Sequence, residues 1–120
     1  MNEFFKVLAD ETRLRCLAII FTHSEICVCE LIHALALPQS KISRHLGIIK
    51  LHKIIHQRRN SQWVYYSIHP RLSSFKKDII QQTITELSST PLFKEDAKRL
   101  LSMEYRPGLA QTDVQEKFVV

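Results

Sequence analysis

The side chains best suited to chemistry crowd into one short stretch. Gln39, Ser40, Lys41, Ser43, Arg44 and His45 place six hydrogen-bonding groups within positions 39–45. Their chemistry is recognition of a polyanion. An arginine such as Arg44 can grip the O6 and N7 acceptors of guanine with two parallel hydrogen bonds. Lys41 suits a phosphate, and the short hydroxyls of Ser40 and Ser43 permit close approach. A second group, Arg58, Arg59, Asn60 and Gln62, suits a DNA backbone or a minor groove, where arginine is favoured. Three thiols, Cys16, Cys27 and Cys29, complete the reactive inventory. Paired catalytic carboxylates, a phosphate-cradling loop and a nucleophile elbow are all absent, and nothing places a base beside a thiol. Those absences argue against an enzyme.

The elements that would position these groups follow from apolar spacing. Residues 3–8 form a short helix. Asp10 is a good N-cap for a helix over 11–21, with apolar residues at 14, 17, 18 and 21. A further stripe at Val28, Leu31, Ile32 and Leu35 predicts a helix over 27–36. Leu37-Pro38 ends it, because the residue before proline is pushed out of helical conformation. The next helix runs over 39–52, with Ser40 as cap and Ile42, Leu46 and Ile49 inward. Ser40, Lys41, Ser43, Arg44 and His45 then face outward at its N-terminal end. After Lys53 the period changes to that of strands, over 54–59 and 62–68, and Arg59-Asn60-Ser61 forms a basic, polar tip. Pro70 opens a long helix whose apolar face is Phe75, Ile79, Ile80, Thr83, Ile84 and Leu87. Residues 92–103 suit one more helix, and 106–120 read as a loose tail. Two short helices joined by a tight turn and followed by a hairpin make a winged helix-turn-helix, whose second helix enters the major groove by its N-terminal end. The fold class is therefore mainly α with a small β-hairpin.

At 120 residues the chain is one domain's worth. We divide it into a DNA-binding and dimerisation domain over 1–90 and a C-terminal extension over 91–120. A domain this small gains core by pairing with a copy of itself. Lysine and arginine exceed aspartate and glutamate by 17 to 12, for a net charge of +5. That excess suits an acidic partner but says nothing of fold. The N-terminus lacks the features of a signal peptide, and no apolar run approaches a bilayer's span. The expected compartment is the cytoplasm, where an odd number of cysteines argues against a disulfide framework.

Four motifs now line up with a known family. Phe5-Lys6-Val7-Leu8-Ala9-Asp10-Glu11-Thr12-Arg13-Leu14-Arg15 resembles the opening of the ArsR/SmtB family of metal- and metalloid-responsive repressors. Ile26-Cys27-Val28-Cys29-Glu30-Leu31 resembles that family's metal-binding box. Gln39-Ser40-Lys41-Ile42-Ser43-Arg44-His45-Leu46 is similar to its recognition helix, and Trp63-Val64-Tyr65-Tyr66 to its second wing strand. The resemblance covers residues 4–87. It implies a homodimer joined by the first and last helices, a pseudo-palindromic operator, and repression relieved when an ion binds. The arsenite- and antimonite-responsive subgroup matches best, with a box of the form Cys-Val-Cys-Asp-Leu-Cys. Here Ile32 stands at the third cysteine. The family's other site, built of Asp, His and Glu on the last helix, has no counterpart at Pro70, Arg71, Leu72, Gln81 or Gln82.

The resemblance makes Cys27 and Cys29 ligands for As(III), Sb(III) or another thiophilic ion, since thiolates are soft donors. Cys16, on the preceding helix, is the candidate third ligand, although a lone cysteine also serves as a small core residue. Side chains two apart on a regular helix point about 200° apart. Gripping one ion therefore requires the first turn to unwind. Two other readings stay open. The pair could act as a redox-responsive thiol switch, because helix N-termini lower thiol pKa values. Or the chain could be a winged-helix DNA-binding protein with no ion response.

Overall fold

The structure, a computed structural model, describes residues 2–107. Its elements run α1 (Asn2–Leu8), α2 (Glu11–Thr22), β1 (Ile26–Cys27), α3 (Val28–Leu35), α4 (Gln39–Leu51), β2 (Ile55–Asn60), β3 (Trp63–Ile68), α5 (Ser74–Leu87) and α6 (Pro91–Ser102). The winged helix-turn-helix expected from the sequence is present. Asp10 caps α2 by accepting the backbone N–H of Arg13 at 3.0 Å.

Several boundaries differ for local physical reasons. α3 stops at Leu35 because Ala36 adopts a left-handed conformation at φ 53° and closes the helix ahead of Leu37-Pro38. Ser40 is not the cap of α4. Pro38 already holds an extended φ/ψ, and its carbonyl accepts the N–H groups of Lys41 and Ile42, both at 3.1 Å, so Ser40 lies within the first turn. Pro70 does not open α5. It sits in a turn in which the Leu72 N–H donates to the His69 carbonyl at 3.0 Å. Ser73 is the true cap, its hydroxyl accepting the Lys76 N–H at 3.2 Å. Ser61-Gln62 joins β2 to β3, with Ser61 at φ 58°. The sheet holds a strand that periodicity could not separate from α3. β1 pairs antiparallel with β3, giving the order β1-β3-β2, with Ile26 opposite Tyr66 and Cys27 opposite Tyr65.

The core joins Leu17 and Ile20 of α2, Leu31 and Leu35 of α3, Ile42, Leu46 and Ile49 of α4, Ile54 and Ile55, Ile80 of α5 and Leu100 of α6. Burying each such side chain stabilises the fold by roughly 1.5–3 kcal/mol. Val28 and Ile32, expected inward, are half-buried, and Ala34 takes an inner place. Of the expected α5 face, Phe75 is exposed. α6 packs on α3 and is fastened by charge. The Arg15 guanidinium donates to both Asp96 oxygens, at 2.8 and 2.7 Å, and to the Leu35 carbonyl at 2.9 Å. Arg99 donates to the Ala34 carbonyl and to Asp96, each at 2.8 Å. The orphan carbonyls at the end of α3 are thus satisfied from α2 and α6.

Candidate nucleic-acid interface and thiol box

α4 presents one polar row to solvent. Gln39, Ser40, Lys41, Ser43 and Arg44 are all exposed, as their spacing against Ile42, Leu46 and Ile49 predicts. His45 is not on that row. It is 3% exposed, because position 45 follows Ile42 by three and precedes Ile49 by four and so lies on the inward stripe. Its Nδ1 is 3.2 Å from Arg13 Nη1 and 3.8 Å from Asp10 Oδ1, and its Nε2 is 3.2 Å from Arg44 Nη2. Burial lowers the His45 pKa below its usual 6.5. Asp10 opposes that, and Arg44, Arg13 and Lys41 push the same way as burial. The His45 imidazole thus sits behind Arg44, within hydrogen-bond distance of its guanidinium.

Sequence reasoning overlooked three residues here. Arg13 joins α2 to α1, donating to the carbonyls of Val7 at 2.7 Å and Lys6 at 3.1 Å, and reaches α4 through its 3.2 Å contact with His45. Gly47 and Lys50 continue the outward row of Ser43 at helical spacing, and both are exposed. A Cβ built on Gly47 would meet nothing, so nothing inside the chain requires glycine there.

The hairpin places Arg59, Asn60 and Gln62 in the open around its turn. Arg58 differs from expectation. Although exposed, its guanidinium is engaged by Glu25 at 2.9 and 2.7 Å and lies 4.7 Å from the centre of the Tyr65 ring. The Glu25 hydrogen bonds raise its pKa. Arg58 braces the wing against the loop before β1 rather than standing free for phosphate.

The two box cysteines meet without any unwinding. Cys27 is the extended N-cap residue of α3, at φ −79° and ψ 148°, while Cys29 lies in the first helical turn. The helical 200° separation does not apply to them, and their Sγ atoms lie 2.9 Å apart. Burial, reinforced by the Cys27 thiol, pushes the Cys29 pKa up to about 12. Cys29 is thus a protonated thiol at neutral pH, contrary to the activation expected of a helix N-terminus. Beneath the pair, the fully buried Glu30 accepts the Cys27 N–H at 2.9 Å and Arg106 Nε at 2.6 Å.

Cys16 is not brought to the pair. It is fully buried in the core on α2, with its thiol pushed up to about 12 by that burial. Among the described residues, no three His, Cys, Asp or Glu side chains gather as a metal-holding group. Ile32, at the third cysteine's position, packs against the core. Among the described residues the box brings two sulfurs together, and the tail from 108 onward lies outside the described residues.

Comparison with known proteins agrees with this fold. The family model described as bacterial regulatory protein, arsR family, matches residues 10–51. The arsenic resistance transcriptional regulator ArsR1 of Pseudomonas putida is 42% identical over 103 residues, 86% of this chain and 79% of that protein. ArsR2 of the same organism is 40% identical over 105 residues, 88% of this chain and 90% of that protein. Among solved structures, HlyU from Vibrio cholerae N16961 superposes with a TM-score of 0.63 at 28% identity, covering 70% of this chain and 87% of that one. The reading helix, the wing and the extent of these matches lead to one conclusion: the chain belongs to the arsR family of bacterial transcriptional regulators.

Proposed function

We propose that this regulator is a cytoplasmic homodimeric repressor, released from a pseudo-palindromic operator when As(III) or Sb(III) binds Cys27 and Cys29. The observation that carries this reading is the 2.9 Å approach of the two thiols at the start of α3. Two soft donors stand ready on one side of a helix that leads directly into α4. The similarity to two arsenic resistance regulators supports the same choice of ion. Gln39, Ser40, Lys41, Ser43 and Arg44 read the major groove, and Arg59, Asn60 and Gln62 touch the flanking backbone or minor groove. Phe5 and Phe75, 45% and 56% exposed, give α1 and α5 an apolar surface fit for a second copy. Among the described residues, no helix is long and apolar enough to cross a membrane.

Because β1 is a strand of the wing sheet, an ion at Cys27 acts on the wing and on α3 together. Fluorescence anisotropy of the reduced protein on operator DNA, titrated with arsenite beside Cys27→Ser, tests the reading. Release by arsenite that the variant loses is the expected result. Normal release from the variant would sink the box. The same thiol contact favours one second reading, oxidation of the pair to a disulfide. Release by peroxide with no response to arsenite would select it.

A further inference from the structure

Tyr65 is buried in the wing, and its hydroxyl has no hydrogen-bond partner among the described residues. Leaving a buried polar group unpaired forfeits its hydration with no return, so an unpaired phenol in a well-packed sheet calls for a reason. Its position supplies one. Tyr65 lies on the central strand of the β1-β3-β2 sheet, directly opposite Cys27 on one side and Arg58 on the other. Residues directly opposite in an antiparallel pair project from the same face of the sheet, with Cβ atoms about 4.5–5.5 Å apart. The Arg58 guanidinium lies over the ring face at 4.7 Å and is itself tied to Glu25. Tyr65 is therefore held on the face from which the Cys27 side chain projects.

The two-sulfur box leaves a chemical remainder. Trivalent arsenic and antimony are three-coordinate, and arsenite brings three hydroxyl groups. Two thiols displace two of them: As(OH)3 and two Cys–SH give (Cys–S)2As–OH and two molecules of water. The thiol protons leave with the displaced hydroxides, and no electrons are exchanged. One As–OH remains, and Ile32 offers it only hydrocarbon. We propose that the Tyr65 hydroxyl is the oxygen-side contact of this box, donating a hydrogen bond to the hydroxyl retained on an ion held by Cys27 and Cys29. This rests on the box reading given above and extends it to a specificity residue on the wing.

The test compares two arsenicals on reduced wild type, Tyr65→Phe and Cys27→Ser. Arsenite keeps one hydroxyl after two thiols bind. Methylarsonous acid keeps none, because its third position is a methyl carbon. Binding to the protein is measured directly by titration, and DNA release by anisotropy. In Tyr65→Phe the arsenite midpoint rises roughly tenfold, the effect of about 1.4 kcal/mol, while the methylarsonous acid midpoint stays within about twofold. Thermal unfolding of Tyr65→Phe matches or exceeds wild type, since the lost hydroxyl has no partner among the described residues. Equal shifts for both arsenicals, or no shift for either, overturn the proposal while leaving the box intact. Retention of both responses by Cys27→Ser overturns the box itself.

Discussion

At the scale of single residues, Arg44 and Lys41 carry different kinds of information. Replacing Arg44 with Ala is expected to weaken operator binding by about 1–3 kcal/mol per half-site and to relax selectivity at one base pair of each. Lys41→Ala weakens binding to all sequences alike and flattens the slope of log K against log salt by about 0.9 for each of the dimer's two copies. Anisotropy over a salt series separates the two effects. Gly47→Ala separates fold from reading: relieving an exposed helical glycine stabilises the protein by about 0.5–1 kcal/mol. It adds a methyl to the row that approaches DNA, so melting temperature rises while affinity falls. His45 sets a pH dependence. Its pKa is lowered in the folded state by burial, so folded protein binds fewer protons than unfolded chain near that pKa. Its contribution to stability is therefore full above about 6.5 and is lost as pH falls below it. Urea midpoints between pH 7.5 and 5 should fall, and His45→Gln should flatten the curve. His23, also lowered by burial, leaves a remnant of the slope in that variant.

Legibility in the sequence tracked how far each feature depended on local spacing. The exposed row Gln39 to Arg44 follows from the period of Ile42, Leu46 and Ile49, and the structure keeps it. The polar character of His45 suggests an outward place, but the same period that predicts the row puts it on the buried stripe. The thiol contact was invisible for the opposite reason. It depends on Cys27 being extended, and that conformation is fixed by pairing with Tyr65, 38 positions away. A two-residue strand carries no periodic signal of its own. Arg58 looked like a free cation because Glu25, which binds it, comes from a loop far away in sequence.

Among the elements, the join between α2, α3 and α6 is the most sensitive. Asp96 is 2% exposed and receives Arg15 and Arg99 together. Asp96→Ala leaves the buried Arg15 without its counter-charge and should destabilise the protein by about 3–5 kcal/mol, measured by denaturant unfolding. It also loosens the two guanidinium groups that satisfy the last carbonyls of α3. The end of α3, just before the turn into α4, is thus held from both α2 and α6.

For the whole molecule, one exposed apolar patch lies where α1 and the start of α5 approach, while Leu51, Leu101 and Tyr105 are exposed elsewhere. Lys76 Nζ stands 5.3 Å from the Phe4 ring centre, with Phe5 and Phe75 uncovered. Phe75→Glu is expected to shift the protein toward monomer in sedimentation. It should also weaken operator binding by at least tenfold, since one reading helix then engages where two did. A dimer in Phe75→Glu as tight as wild type would place the interface elsewhere.

Cys27 belongs to two structures at once, as the last residue of β1 and as the N-cap of α3. Its single pair of backbone angles sets how the wing sheet meets the reading unit. Under the proposed function, grip on the operator and threshold for the inducer are for that reason tuned on one dial. A lineage using the box as proposed could not tighten the wing on a new operator without also changing how much metalloid is needed to let go. Regulators of this build should diverge in target sequence and in sensitivity together, as a correlated pair of traits.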